Sequence, residues 1–365
     1  MTGKAFLTPS LSLLLDLVRG IAALVVLVGH AQGMELYTGP YPLSPYIQHH
    51  AVIVFFVLSG LVIAHSVQQR QGDLAEYAIA RIARIVPVAL FAIAVSAALF
   101  AWTRLSSLDA GMPGTYDTLS WQTTLLPALF LSESAIGQGL VWNPPYWSLV
   151  CEMFFYAFFG AAVFLCGGQR MLVLGFLALL AGWKVLALFP IWLLGVALVR
   201  WPERFTVGRI GASAALVAAL AVALIVDRQT VPLAFALAEW TGLSLEALGI
   251  AKYLLADVAM GVAVTLAFVG MRAWSDAAMP LLARGAGAIH WLAGISFTLY
   301  VVHHPILLTL RAYGIGAGDS PVIFAGTMAF VVAISWLLAD LVEHRTPALR
   351  RAMRNWLAAR QPHLA

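Results

Sequence analysis

The sequence predicts an all-α polytopic membrane protein of about ten transmembrane helices, with both termini in the cytoplasm. Three observations carry that prediction. Hydrophobic residues make up 62% of the chain and charged residues only 10%, against roughly 25% charged in soluble domains. Apolar runs of about twenty residues, the length a helix needs to cross a bilayer, recur from end to end. Lys and Arg are shared unequally between alternate connecting segments, which sets orientation.

In chain order the runs are Leu11–Ala31, Ile47–Ser66, Ile82–Thr103, Pro145–Cys166, Met171–Gly182, Val185–Arg200, Ile210–Val226, Ala251–Met271, Ile289–Leu310 and Val322–Leu341. The fifth and sixth are short and are separated only by Gly182-Trp183-Lys184, so one kinked hairpin would serve equally and the range is nine to eleven. With ten spans, the N-terminal side carries Lys4, Arg70, Arg81, Arg84, Arg170, Arg200, Arg204, Arg209, Arg272, Arg284, Arg345, Arg350, Arg351, Arg354 and Arg360, 15 in all. The opposite side carries Arg104, Lys184, Arg228, Lys252 and Arg311, and Arg19 inside the first run completes the 21. The basic segment 346–365 therefore reads as a short cytoplasmic tail and topology anchor rather than a nucleic-acid site, leaving residues 1–345 as the membrane domain.

The first run holds Arg19 and His30. An ionisable residue at bilayer depth costs about 2.5–3.5 kcal/mol on insertion scales, so it rarely persists without a function. Eleven residues at about 100° each return to within about 20° of the start, so both side chains share one face, about 16 Å apart along the axis. That face must look into a bundle interior or a wet cavity. The run is too long for a cleavable signal peptide and lacks a small-residue cleavage site.

Between the runs, Arg104–Pro144 is the longest connection, rich in aromatics (Tyr116, Trp121, Trp142) and carrying Asp109, Asp117 and Glu133. It is expected to be an interfacial or re-entrant element, or an aromatic belt. Asp227–Ile250, with Glu239 and Glu246, reads as a second outer loop. Cys151 and Cys166 lie about 22 Å apart on one predicted helix, too far for a disulfide, and read as buried small apolar residues. No internal repeat of the transporter kind is evident.

Further polar signals gather at span ends. Arg81 and Arg84, at i and i+3, share a helix face suited to bidentate phosphate binding. Glu152 lies several residues inside an apolar helix opened by Pro144-Pro145-Tyr146-Trp147-Ser148. Ser296 to Pro305 includes Tyr300, His303 and His304, and Glu343-His344-Arg345-Thr346-Pro347 closes the last span.

Together these segments resemble the acyltransferase family 3 membrane proteins over nearly the whole chain. The family pattern L-D-x-L-R-(x10)-H is matched by Leu15, Asp16, Arg19 and His30, with Val18 where Leu is common. F-F-x-x-S-G is matched by Phe55, Phe56, Ser59 and Gly60, and R-x-x-R-I-x-P by Arg81, Arg84, Ile85 and Pro87. W-S-L-x-x-E is matched by Trp147, Ser148, Leu149 and Glu152, and S-[YF]-x-L-Y-x-x-H-x-P by Ser296, Leu299, Tyr300, His303 and Pro305. The end motif V-E-x-P appears as Val342-Glu343-His344-Arg345-Thr346-Pro347, two residues longer. Any one match is weak; six in order on the right spans are specific.

The resemblance implies an O-acyltransferase that moves an acyl group, most often acetyl, from cytoplasmic acyl-CoA to a hydroxyl of an extracytoplasmic or lipid-linked carbohydrate. Relatives often carry a fused extracytoplasmic domain. This chain ends at Ala365 and is expected to be the stand-alone type, finishing the transfer itself or handing the group to a separate extracytoplasmic transferase. A sugar hydroxyl needs a base at the moment of attack, and His is poised for that near neutral pH. His30 is the expected base, with Glu152 or His303 completing the catalytic set. Arg19, Arg81 and Arg84 are expected to grip the CoA phosphates, the first oriented by Asp16. Ser148, Tyr300 and Glu343 are supporting. The roughly 16 Å from Arg19 to His30 suits a pantetheine arm.

Acyl-CoA, with acetyl-CoA foremost, enters as donor substrate; no permanently bound cofactor, metal or nucleic acid is expected. The alternative is a multi-pass transporter or exporter of a small anion or glycolipid, using the same intramembrane Arg, His and Glu as a path. A third reading is another acyl-CoA-using membrane family acting on proteins or lipids, which would lack the R-(x10)-H arrangement. The excess of Arg over Lys, 18 to 3, and the abundant Ala fit a GC-rich bacterial genome and thus a bacterial cytoplasmic membrane.

Overall fold

With hydrophobic residues at 62%, the chain has little choice of backbone, because in hydrocarbon each N–H and C=O must find its partner within its own segment. The computed structural model is accordingly 81% helical, with no strand among the described residues. These are residues 5–69, 72–112, 114–134 and 136–360. Lys4 and Arg70 of the charge count, and positions 361–365 of the tail, lie outside them.

Nine helices among the described residues are long and apolar enough to cross a membrane. They are α1 (Pro9–Gly33), α2 (Ile47–Gln69), α3 (Leu74–Leu105), α4 (Trp147–Phe164), α5 (Gly167–Arg200), α6 (Arg209–Thr241), α7 (Leu254–Arg284), α8 (Ala286–Ala312) and α9 (Pro321–Val342). A tenth helix, α10 (Thr346–Arg360), follows a single 3₁₀ turn, Glu343–Arg345. Nine against about ten reduces to α5, where Gly182 adopts φ 72° and ψ 166° and breaks the helix at the place the sequence left open. Only glycine takes that backbone without strain.

Several boundaries differ from the sequence reading. Helix α3 begins at Leu74 rather than Ile82, because Asp73 accepts a 2.9 Å hydrogen bond from the Glu76 backbone N–H and caps it. Asp227–Thr241 is not loop: α6 runs on to Thr241 and stops where Gly242 turns left-handed at φ 69°. Within that helix the Asp227 carboxylate is partly exposed and lies 3.3 Å from His50 Nε2. Cys151 is buried as expected, but Cys166 is exposed, since α4 ends at Phe164 and leaves it in the short link to α5.

The chain packs as two compact units. The first comprises residues 5–30, 42–69 and 183–296. Here Ser59 and Gly60 of the F-F-x-x-S-G motif do structural work: Ser59 Oγ accepts from Trp192 Nε1 at 3.2 Å, and Gly60 lies against the Trp192 carbonyl. Small residues let two helix backbones meet this closely, and dispersion then holds them. In the same unit Asp257 is fully buried and receives His49 Nε2 at 2.8 Å. Removing one partner of a buried pair costs roughly 3–5 kcal/mol. His49→Ala is therefore expected to lower the thermal midpoint in detergent, with Asp257→Asn partly restoring it in the double variant. A midpoint unchanged in His49→Ala would show that the pair contributes nothing.

The second unit comprises residues 31–41, 72–182 and 297–360. Its long connection between α3 and α4 is folded rather than loose. Asp117 pairs with Arg104 and accepts from the fully buried Trp142 indole at 3.0 Å, while Tyr146 donates to the Pro127 carbonyl at 3.0 Å. Burial, with Glu133 nearby, pushes the Tyr116 phenol up to about 12, so it stays neutral. Of the aromatics read as an interfacial set, Trp142 is an anchor inside the unit, as is the neighbouring Tyr146, and Trp121 is exposed.

Candidate active site

In the first unit, α1 carries the spaced arginine and histidine. Arg19 Nη2 donates to Asp16 Oδ1 at 2.8 Å, and His290 Nδ1 lies 3.5 Å from Asp16 Oδ2, so the carboxylate is held from both sides. His30 is half-buried in the last turn of α1. Two glycines fix the helix: a Cβ on Gly20 would meet Leu292 at 2.7 Å, and one on Gly29 would meet Gln48 at 2.6 Å. Helix α1 is thus pressed onto α8 beside Arg19 and onto α2 beside His30.

In the second unit, α4 presents Ser148, Glu152 and Tyr156 at successive i, i+4 positions, a ladder rising about 6 Å per step. Ser148 Oγ and Tyr300 Oη are 2.6 Å apart, and both reach the Pro145 carbonyl, at 3.1 and 3.2 Å. Glu152 Oε1 accepts from Tyr156 Oη at 2.5 Å. The Tyr156 carbonyl in turn accepts from Tyr77 Oη at 2.9 Å.

The two arginines of α3 flank this ladder. Arg81 stacks over the rings of Tyr77 and Tyr156, at 5.9 and 5.7 Å, and Arg84 over Phe297 at 5.8 Å. A ring face within about 6 Å attracts a guanidinium, whose planar fork of N–H donors suits an anion. Arg81 Nε is buried and meets no acceptor among the described residues. Glu343 Oε2 accepts from the Thr298 N–H at 3.1 Å and its hydroxyl at 2.8 Å, within electrostatic reach of Arg84. The lengthened end motif is accommodated because its extra residues form the 3₁₀ turn after Val342, which leaves Glu343 where α9 ends.

His303 is fully buried, with Nδ1 2.7 Å from the Tyr300 carbonyl and 3.1 Å from that of Leu299. A carbonyl accepts only, so Nδ1 carries the hydrogen and Nε2 is the basic nitrogen. His304 Nδ1 donates to the Trp142 carbonyl at 2.9 Å and anchors the connection between α3 and α4.

Glu152, Ser148, Tyr300, His303, Arg81, Arg84 and Glu343 thus fall in the second unit, and Asp16, Arg19 and His30 in the first. Sequence reasoning missed Tyr156 and Tyr77. Both had a signal, since each lies four residues from a residue already singled out, Glu152 and Arg81. Thr298 and Asn143 had none; Asn143 Nδ2 donates to the Val301 carbonyl at 2.8 Å, a contact that only the tertiary fold makes.

A family model described as an acyltransferase domain, that of acyltransferase family 3, matches residues 13–340. The chain belongs to this family. The match starts in α1 and stops in α9 two residues short of its end, so Glu343 lies outside it, and the family is one of acyltransferases rather than transporters. The acyltransferase is also 38% identical over 96 residues to "Protein 2 in picA locus" of Rhizobium radiobacter. That alignment spans 25% of this chain and 47%, about half, of the relative's length. No solved structure matches the acyltransferase.

Proposed function

We propose that the acyltransferase takes an acyl group, acetyl by preference, from cytoplasmic acyl-CoA and transfers it to a hydroxyl of an extracytoplasmic or lipid-linked carbohydrate. The observation that carries this reading is the pair of aromatic-stacked arginines, Arg81 and Arg84, beside the Glu152–Tyr156 ladder. Two guanidinium groups one helical turn apart, Arg81 half-buried and Arg84 exposed, match the phosphates of a nucleotide donor. On this reading the break at Gly182 divides α5 into two crossings, the crossings number ten, both termini are cytoplasmic by the 15-to-5 division of Lys and Arg, and the membrane is taken as the bacterial cytoplasmic one.

In this mechanism His30 accepts the proton of the acceptor hydroxyl as its oxygen attacks the thioester carbonyl carbon. The C–S bond then breaks, the ester stays on the acceptor, and the departing CoA sulfur takes the proton back from His30. Arg19, held by Asp16, and the α3 arginines bind the donor. His303, with its Nε2 basic, and Glu152 are the second proton-transfer pair, kept in place by Tyr300, Ser148 and Tyr156.

The test is turnover of radiolabelled acetyl-CoA by the purified protein, wild type beside Arg84→Ala. Losing a charged hydrogen bond worth about 1.5–3 kcal/mol is expected to raise KM for acetyl-CoA roughly 10- to 100-fold with kcat little changed. Arg84→Lys should recover part of the loss. Binding of succinyl-CoA but not acetyl-CoA would correct the acyl group. Failure to bind any acyl-CoA would overturn the donor assignment.

A further inference from the structure

The depth of α10 follows from the two helices it adjoins. Helix α9 has 22 residues, about 33 Å, close to the ~30 Å hydrocarbon core, so the 3₁₀ turn that follows releases α10 at the membrane surface. Helix α3 has 32 residues, about 48 Å, and overshoots the core by some 18 Å. Its first turns carry Asp73, Glu76 and Arg81 and pack against α10, so they lie at headgroup level.

Between these two helices is a cavity of about 590 Å³ with almost wholly apolar walls, chiefly Ala75, Ile79 and Ile82 of α3 with Ala352, Met353 and Trp356 of α10. That volume falls within the range of ligand sites, roughly 300–1,000 Å³. Helix α10 is amphipathic. Leu349, Ala352, Met353, Trp356 and Leu357 repeat at i, i+3, i+4 spacing, while Arg350, Arg351 and Arg354 occupy the other face. Arg354 pairs with Glu76 across the groove and straps the helices together, and Trp356 is 57% exposed beside the opening. Arg351 is exposed.

We propose that this groove holds one acyl chain of an anionic phospholipid, drawn to α10 by the positive charge of its arginine face. The occupant follows from three features: apolar walls at headgroup depth, a cavity wide enough for an alkyl chain, and arginines on the helix that forms one wall. A zwitterionic lipid would offer the same chain without the net charge that an arginine face attracts. A soluble nucleotide would find no polar group inside the groove to hold it.

The full-length protein, reconstituted with phosphatidylglycerol or phosphatidylcholine brominated on the acyl chain, tests this by quenching of Trp356, read as wild type minus Trp356→Phe. Brominated phosphatidylglycerol is expected to quench that component at a several-fold lower mole fraction than brominated phosphatidylcholine. Arg351→Gln should raise the required fraction about fivefold. Ala75→Leu with Ala352→Leu, which fills the groove, should abolish the preference while leaving acetyl-CoA turnover unchanged. Equal quenching by the two lipids overturns the proposal, as does a preference that survives both variants. Loss of quenching on adding acetyl-CoA would give the groove to the donor instead and overturn it too.

Discussion

Replacing His30 with Ala is expected to lower acyl transfer roughly 10²- to 10⁴-fold, the usual contribution of a positioned general base, while leaving acetyl-CoA binding near the wild-type value. The separation is the informative part. A residue that only supports α1 would lower donor binding and thermal stability together, because Arg19 sits on the same helix and its pairing with Asp16 depends on where that helix lies. A base acts on the acceptor proton alone. Hydroxylamine makes the distinction sharper, since its nitrogen attacks a thioester without losing a proton first. Acyl transfer to hydroxylamine should therefore survive in His30→Ala far better than transfer to a carbohydrate hydroxyl. If His30→Ala turns over normally and His303→Ala does not, the base lies on α8. The buried His303 then acts through Nε2, which the Tyr300 carbonyl on Nδ1 leaves as its basic nitrogen.

The reading of Arg19 and His30 needed only helical periodicity and the cost of charge in hydrocarbon, both of which the sequence displays. The same holds for most of the helices, where length and apolarity suffice. The helix ends were less legible. Residues 74–81 and 227–241 carry Glu76, Arg81, Asp227 and Arg228, which hydropathy reads as leaving the membrane. Their backbone continues as helix: Asp73 caps the first segment, and in the second Asp227 lies 3.3 Å from His50 Nε2, neither of which hydropathy counts. The tail was legible as charge but not as structure: Arg354 meets Glu76 only because the chain returns to α3 nearly 280 residues later.

The candidate residues divide in the same way. Glu152 and Arg81 declared themselves by being polar in apolar runs. Tyr77 and Tyr156 did not, because a tyrosine near a span end is ordinary and only the rings beneath Arg81 give them a role. Ser59 and Gly60 matched a family pattern without showing which part was chemical. Their environment answers that: Ser59 receives an indole N–H, and Gly60 is a point of backbone contact.

That contact predicts a large loss of stability. A Cβ at Gly195 would lie 1.9 Å from the Val57 carbonyl oxygen and 2.6 Å from the Leu61 nitrogen, and one at Gly60 would lie 2.1 Å from the Trp192 carbonyl oxygen. The obstacles are backbone atoms of the facing helix, so no rotamer change relieves them and α2 must move away from residues 183–200. Overpacking usually costs 1–3 kcal/mol, and Gly195→Ala should reach or exceed about 3 kcal/mol because the displaced unit is a whole helix. In detergent this corresponds to a fall in thermal midpoint on the order of 5–10 °C. Gly175 on the same α5 is the control, since a Cβ there meets nothing within 4 Å. Gly175→Ala should be neutral or stabilising by up to about 1 kcal/mol through helix propensity alone. Equal midpoints for Gly195→Ala and Gly175→Ala would mean that α2 and α5 do not meet at these glycines. A fall confined to Gly195→Ala and Gly60→Ala would establish the Ser-Gly step of α2 as the crossing point on which the first unit is built.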